Sequence, residues 1–430
     1  MDTVLYTGSA FKTVAFMRES TRYRHKRFIT CRHLLNEENK VNSPFGPAER
    51  LKWIKPSGIR RFFAMANEMP DSINLSIGEP DFCPPKEVLN AGCEAAKEGK
   101  THYEPTNGIP ELREALAQKA FKEYGLKYDP SSEILITVGG TEAIFCALFG
   151  LINPGDEVLV PNPGFVLYEP GVRLAGGVPI SVPLLEERDF KVTLDDVTSL
   201  ITDKSRALIL NYPNNPTGGV LSHSDMVALA KVAVERDLIV ISDEVYEKMI
   251  YDGLKHHCAA TLPEMRERTL VVSSFSKTYA MTGLRIGYVY GPKELISALW
   301  LVHQYAVACV NSISQYTALK ALKVQQDFVK DMVKEFDRRR HLVHKRLNEI
   351  RGFHCSLPKG AFYAFPNIRE LEKSSEEISE FLIKKAHVIT VPGSAFGKYG
   401  EGYIRISYAS AYEKLEEALN RVERAVKEIK

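Results

Sequence analysis

Lys277 sits in the stretch "SSFSKTYAMTGLRIGYV", between small hydroxyl residues, and Arg285 follows eight positions later in a glycine-rich run that reads as a return strand. A lysine amine becomes a Schiff-base nucleophile where its surroundings disfavour the ammonium form. Arg285 offers a fixed positive charge and a planar fork suited to a phosphate, and the Ser274 and Ser276 hydroxyls can donate to the same group. A Ser-x-Ser-Lys run by itself is more often a solvated surface lysine, so its meaning depends on partners elsewhere in the chain.

Those partners recur after β-rich runs. Asp243 closes "LIVISDEVY", with Tyr246 three residues on. A carboxylate at the end of a buried strand can keep a pyridine nitrogen protonated, and Tyr246 can reach a phenolic oxygen on such a ring. The plainer alternative is that Asp243 caps a following helix. Asn215 lies in "NYPNNPTGG" after "ALILN", where prolines and glycines favour a sharp turn. In "VGGTEAIFCAL" the backbone amides of Gly140, Thr141 and Glu142 open a helix, a natural anion seat. Neither a G-x-x-x-x-G-K-[ST] loop nor a G-x-G-x-x-G turn is present, which disfavours nucleoside triphosphate and dinucleotide sites. Phe165 in "PNPGFVLYEP" can stack on a flat ring, although an aromatic there is more often core. Arg405, centred in the alternating run "YIRISYA", needs an anion if it faces inward, and a substrate carboxylate would serve. The pairs His256–His257 with Cys258, and His341 with His344, have metal-like composition but no second ligand pair at metal spacing.

The elements that must hold these residues follow from periodicity. "ILITV", "EVLVP", "ALILN", "LIVISD" and "TLVVSS" alternate with amphipathic stretches such as "HSDMVALAKVAVERD". This alternation predicts an α/β fold, a mostly parallel sheet with helices on both faces, and ligands at its carboxyl ends. Beyond Pro292 the pattern turns to long helices and short strand-like runs, which reads as a smaller α+β domain with "INLSIGEPDF" packed on it. The expected organisation is an N-terminal extension at 1–45, a segment at 46–82 packing with the small domain, a large domain at 83–315 and the small domain at 316–430. The chain has 430 residues and a net charge of +2, with no basic excess of the kind that general nucleic-acid binding or membrane-surface attachment requires. No window approaches ~18 consecutive apolar residues. Seven scattered cysteines without a C-x-x-C pair suggest reduced thiols in the cytoplasm. The first ~40 residues are basic and poor in acids; they read as a disordered extension or an early start, with an organelle transit peptide as the alternative.

Taken in order, the helix start, aromatic, Asn-Pro turn, strand-end aspartate, lysine and arginine describe a pocket for a phosphorylated pyridine aldehyde. The chain resembles the class I aminotransferases of the fold-type I pyridoxal-phosphate superfamily, particularly the prokaryotic and archaeal aspartate and aromatic branch. "INLSIGEPDF", "THYEPTNGIPELREAL", "NYPNNPTGG", "ISDEVYE", "SFSKTYAMTGLRIGY" and "YIRISYA" carry the resemblance, from about Lys55 to the C-terminus. It implies a seven-stranded, mostly parallel sheet and the cofactor pyridoxal 5'-phosphate, carried on Lys277 as a Schiff base. Asp243 then pairs with the pyridine nitrogen, Asn215 and Tyr246 hold the ring oxygen, and Phe165 stacks on the ring. Gly140, Thr141, Ser274, Ser276 and Arg285 hold the phosphate, and Arg405 binds the substrate α-carboxylate with the Gly78 backbone nearby. Tyr103 reaches the phosphate of the partner subunit, which implies a homodimer. The implied reaction moves an amino group from an L-amino acid to a 2-oxo acid, often 2-oxoglutarate, with ping-pong kinetics. A lyase on the same scaffold, by β-elimination or cyclisation, is the alternative, and a cofactor-binding regulator is a more distant one. Side-chain selection is expected near Ser57–Ile59 and Tyr103.

Overall fold

The central strands of the main sheet line up as apolar runs too hydrophobic to face water on either side, and the half-buried strand Val178–Pro183 closes one edge. The structure, a computed structural model, describes residues 46–54, 69 and 71–429. The basic head and Ser57–Ile59 lie outside the described residues. The strands are Ile73–Asn74 (β1), Ile134–Thr137 (β2), Glu157–Asn162 (β3), Val178–Pro183 (β4), Ser205–Asn211 (β5), Ile239–Asp243 (β6), Thr269–Ser274 (β7), Gly287–Tyr290 (β8), Tyr363–Ala364 (β9), Val388–Ile389 (β10), Val391–Pro392 (β11) and Ile404–Ser407 (β12).

The main sheet has the order β2-β8-β7-β6-β5-β3-β4. Its pairs are parallel from β4 across to β7, and β8 runs antiparallel to both neighbours. Strands β6 and β7 are buried at every residue, as expected where helices cover both faces. Leu135, Val158, Ile209, Ile241 and Val272 join a core with Ile144 and Leu148 of the helix Gly139–Leu151. Sharp local signals start several helices. Ser222 and Asp225 form a capping box at the helix His223–Glu235, satisfying amides that the first turn leaves free.

Beyond the main sheet, β11, β12 and β9 form an antiparallel sheet and β1 pairs in parallel with β10. The second core joins Phe336 and Val343 of the helix Asp327–Asn348 to Ile404, Ile406 and Leu419. Residues Pro47–Lys430 make one compact unit. No helix among the described residues is long and apolar enough to cross a membrane.

Candidate active site

The carboxyl ends of β5, β6 and β7 deliver Asn211, Asp243 and Ser274 to one edge of the sheet. They open onto a cavity of about 440 Å³, within the range of ~300–1,000 Å³ usual for small-molecule sites. Gly140, Thr141, Phe165, Asn215, Tyr246, Ser276, Lys277 and Arg285 line it from the main sheet, and Gly78, Tyr363 and Arg405 line it from the opposite side. The residues expected to line one pocket therefore meet at a single cavity, with one exception. Glu142 does not line it: its carboxylate faces Val138 and His303, because the helical turn rotates that side chain away. Tyr103, expected at the partner subunit's site, does not line this cavity and is 89% exposed.

Ser274 ends β7 and caps the single helical turn Phe275–Thr278, its Oγ accepting the Ser276 N–H at 3.2 Å. That turn lifts Lys277 into the cavity. The lysine side chain is partly exposed, to the cavity it lines, and Nζ donates to the Gly78 carbonyl and lies 5.9 Å and 5.8 Å from the ring centres of Tyr246 and Phe362. Its pKa falls to about 8. Burial is the main cause; the charges of Arg405 and Arg285 add to it, and those of Glu79 and Asp243 oppose it.

Asp243 is 4% exposed. Its Oδ2 accepts the Tyr168 hydroxyl at 2.7 Å. Burial pushes its pKa up to about 6, against the pull of that hydrogen bond. No helix follows β6, so the helix-capping alternative has nothing to cap. Asn211 steadies the strand end, donating Nδ2–H to the Asp243 carbonyl at 3.1 Å while its Oδ1 accepts the Asn215 N–H at 3.1 Å. Tyr246 shares a 2.8 Å hydrogen bond with the Tyr363 hydroxyl. Phe165 meets Tyr168 edge to face at 5.7 Å.

Arg405 on β12 is 2% exposed. Nη1 donates to Asn215 Oδ1 at 3.0 Å and Nη2 to the Ser76 carbonyl at 2.6 Å. Its Nε–H has no acceptor, and no carboxylate among the described residues pairs with it. Burial lowers its pKa. A buried guanidinium without an anion is costly, and the cavity in front of it is where an anion would offset that cost.

At the cavity's other end the helix Gly139–Leu151 begins, with Gly139 at φ +75°. A Cβ there would stand 2.6 Å from Arg285 Nη2, so glycine is required for the guanidinium to lie against the turn. A cation beside free helix amides is a phosphate seat.

A family model, aminotransferase class I and II, matches residues 70–422. The chain belongs to the class I and II aminotransferases. The aminotransferase is 49% identical over 385 residues to an aspartate aminotransferase of Pyrococcus abyssi, covering 89% of this chain and 99% of that one. It is 48% identical to aromatic-amino-acid aminotransferase 2 of Thermococcus litoralis, with the same coverage. A solved aspartate aminotransferase of Thermus thermophilus with maleate is 39% identical, with a TM-score of 0.85, covering 89% of this chain and all of that one. The aminotransferase thus has the fold-type I architecture, is an enzyme of the EC 2.6.1 class, and uses pyridoxal 5'-phosphate. Its cavity fits that cofactor: an amine, a strand-end carboxylate, an aromatic ring and a phosphate seat all face the same space. Tyr168, Asn211 and Tyr363 were not read from sequence. None carried a sequence signal: Tyr168 opens the helix Tyr168–Leu174 while Phe165 precedes it in the turn, and their edge-to-face contact shows only in the fold.

Proposed function

We propose that the aminotransferase moves the amino group of L-aspartate or an aromatic L-amino acid to a 2-oxo acid such as 2-oxoglutarate, in two half-reactions at this site. The observation that carries the reading is Arg405, buried, without an anionic partner and with Nε–H unmet beside the cavity. Donor and acceptor both carry an α-carboxylate, so one bidentate contact serves both half-reactions. The names of the relatives support aspartate and aromatic donors.

Bound pyridoxal phosphate supplies an aldehyde carbon and a ring that accepts electrons from the substrate α-carbon. In this reading Lys277 Nζ would hold the cofactor until the substrate amine displaces it, and the freed amine would then carry the substrate α-proton to the carbon that had borne the aldehyde. A pKa near 8, below the ordinary lysine value of 10.5, enlarges the share of the neutral amine that this requires. Asp243, ionised, would keep the ring nitrogen protonated. Asn215 and Tyr246 hold the ring oxygen, and Phe165 limits tilting of the ring. Gly140, Thr141, Ser274, Ser276 and Arg285 hold the phosphate. Arg405 and the Gly78 backbone orient the substrate.

The working unit in this reading is a homodimer. Tyr103, Leu301 and Tyr305 are exposed apolar side chains at 89%, 52% and 84%. Tyr103 would complete the phosphate seat of the partner subunit. Free cysteines at the six positions described support a reducing compartment, the cytoplasm.

A panel of amino donors against 2-oxoglutarate tests the reaction. Oxo-acid release with parallel initial-rate lines supports it; ammonia and pyruvate from a single substrate would assign a lyase instead.

A further inference from the structure

Glu142 stays out of the cavity, yet its carboxylate gathers three groups around the turn that faces it. Oε2 accepts the Val138 backbone N–H at 2.5 Å, one residue before Gly139. Oε1 lies 2.7 Å from His303 Nδ1 and 3.6 Å from Cys146 Sγ. A carboxylate oxygen accepts, so Nδ1 carries the hydrogen. His303 comes from a separate helix, Lys293–Val307, and is wholly buried at 0% exposure. Its Nε2 has no hydrogen-bond partner. A ring buried with one nitrogen unmet is a cost that its contact with Glu142 must offset.

The turn held this way has little slack. Gly139 packs against the Arg285 guanidinium, and a Cβ on Gly287 would stand 2.6 Å from the Gly139 carbonyl carbon. Rotation of the peptide around Val138 would swing the amides of Gly140 and Thr141 off their common target. Helix-start amides bind an anion only when aimed at it.

We propose that Glu142 and His303 are positioning residues for the cofactor phosphate: together they lock the Val138 peptide and so aim the helix-start amides. The inference rests on the reading that the phosphate lies at Gly140, Thr141 and Arg285. It makes a distant helix part of the phosphate seat through one side chain.

The test compares the binding of pyridoxal phosphate and of pyridoxal, which lacks the phosphate, to the cofactor-free protein by absorbance titration. The dissociation constant of pyridoxal divided by that of pyridoxal phosphate measures the phosphate contribution alone. Glu142→Ala is expected to lower the ratio about tenfold, the scale of a lost helix cap, with pyridoxal binding changed by less than about threefold. Glu142→Gln, which keeps an oxygen for the Val138 N–H, is expected to stay within about threefold of the parent. His303→Leu should follow Glu142→Ala and replaces it if that variant does not fold, pyridoxal binding being the check on folding. Arg285→Ala is the control. A lowered ratio in Arg285→Ala with unchanged ratios in Glu142→Ala and His303→Leu overturns the inference and leaves the phosphate reading intact. An unchanged ratio in Arg285→Ala removes the phosphate reading itself. Equal losses in Glu142→Ala and Glu142→Gln contradict the hydrogen-bond argument.

Discussion

The Tyr168 hydroxyl donates to Asp243 Oδ2 at 2.7 Å, across 75 residues of sequence. The bond favours the ionised carboxylate and opposes the burial that raises its pKa to about 6. Tyr168→Phe removes it, so the Asp243 pKa must rise further. A hydrogen bond to a charged group contributes ~1.5–3 kcal/mol, equivalent to about one to two pH units. The acid limb of the activity profile is expected to move up by that order, and an unmoved limb would show that Tyr168 does not tune the carboxylate.

Lys277 and Arg405 predict a second pH effect. The cofactor-free protein captures pyridoxal phosphate through the neutral amine, so capture should speed up as pH rises through about 8, below the ordinary lysine value of 10.5. Arg405 is the largest charge that depresses this pKa. Arg405→Gln removes a positive neighbour, so the midpoint should shift upward. Stopped-flow absorbance across pH reads both midpoints, and a downward shift would contradict the assignment.

Gly139→Ala should cost cofactor affinity more than stability. The position has φ +75° and no room for a methyl group beside Arg285. The positive φ costs ~1–3 kcal/mol for alanine, and the separate methyl clash is relieved by displacing the guanidinium from the turn. Equilibrium dialysis should show weaker pyridoxal phosphate binding with little change in pyridoxal binding. Equal loss of both would mean that the turn serves the fold rather than the phosphate.

The dimer reading is tested at Leu301 and Tyr305. Charged substitutions at both, Leu301→Glu with Tyr305→Glu, should shift the protein toward monomer in sedimentation analysis and lower cofactor retention. A variant that stays dimeric would move the interface elsewhere.

Much of the main sheet could be read from the chain because β2, β3, β5, β6 and β7 are unbroken apolar runs with glycine or polar punctuation. β4, "VPISVP", escaped that reading. It is an edge strand with two prolines and a mostly half-buried pattern, so it lacks the continuous apolar signal of a central strand. The cavity residues were legible where chemistry itself is rare, as with a strand-end aspartate or an arginine inside an apolar strand. Tyr168 and Tyr363 were not, because a buried tyrosine looks like core until its hydroxyl partner is known. Glu142 was read for its amide; its carboxylate gains meaning only when His303 arrives from another helix.

The central claim is that Lys277 Nζ is the atom that tethers the cofactor. Borohydride reduction of the cofactor-loaded protein, followed by proteolysis and mass spectrometry, tests it most directly. The account predicts one added pyridoxyl mass per chain, on the peptide containing Lys277. The same mass on any other lysine, or none on fully loaded protein, would contradict it.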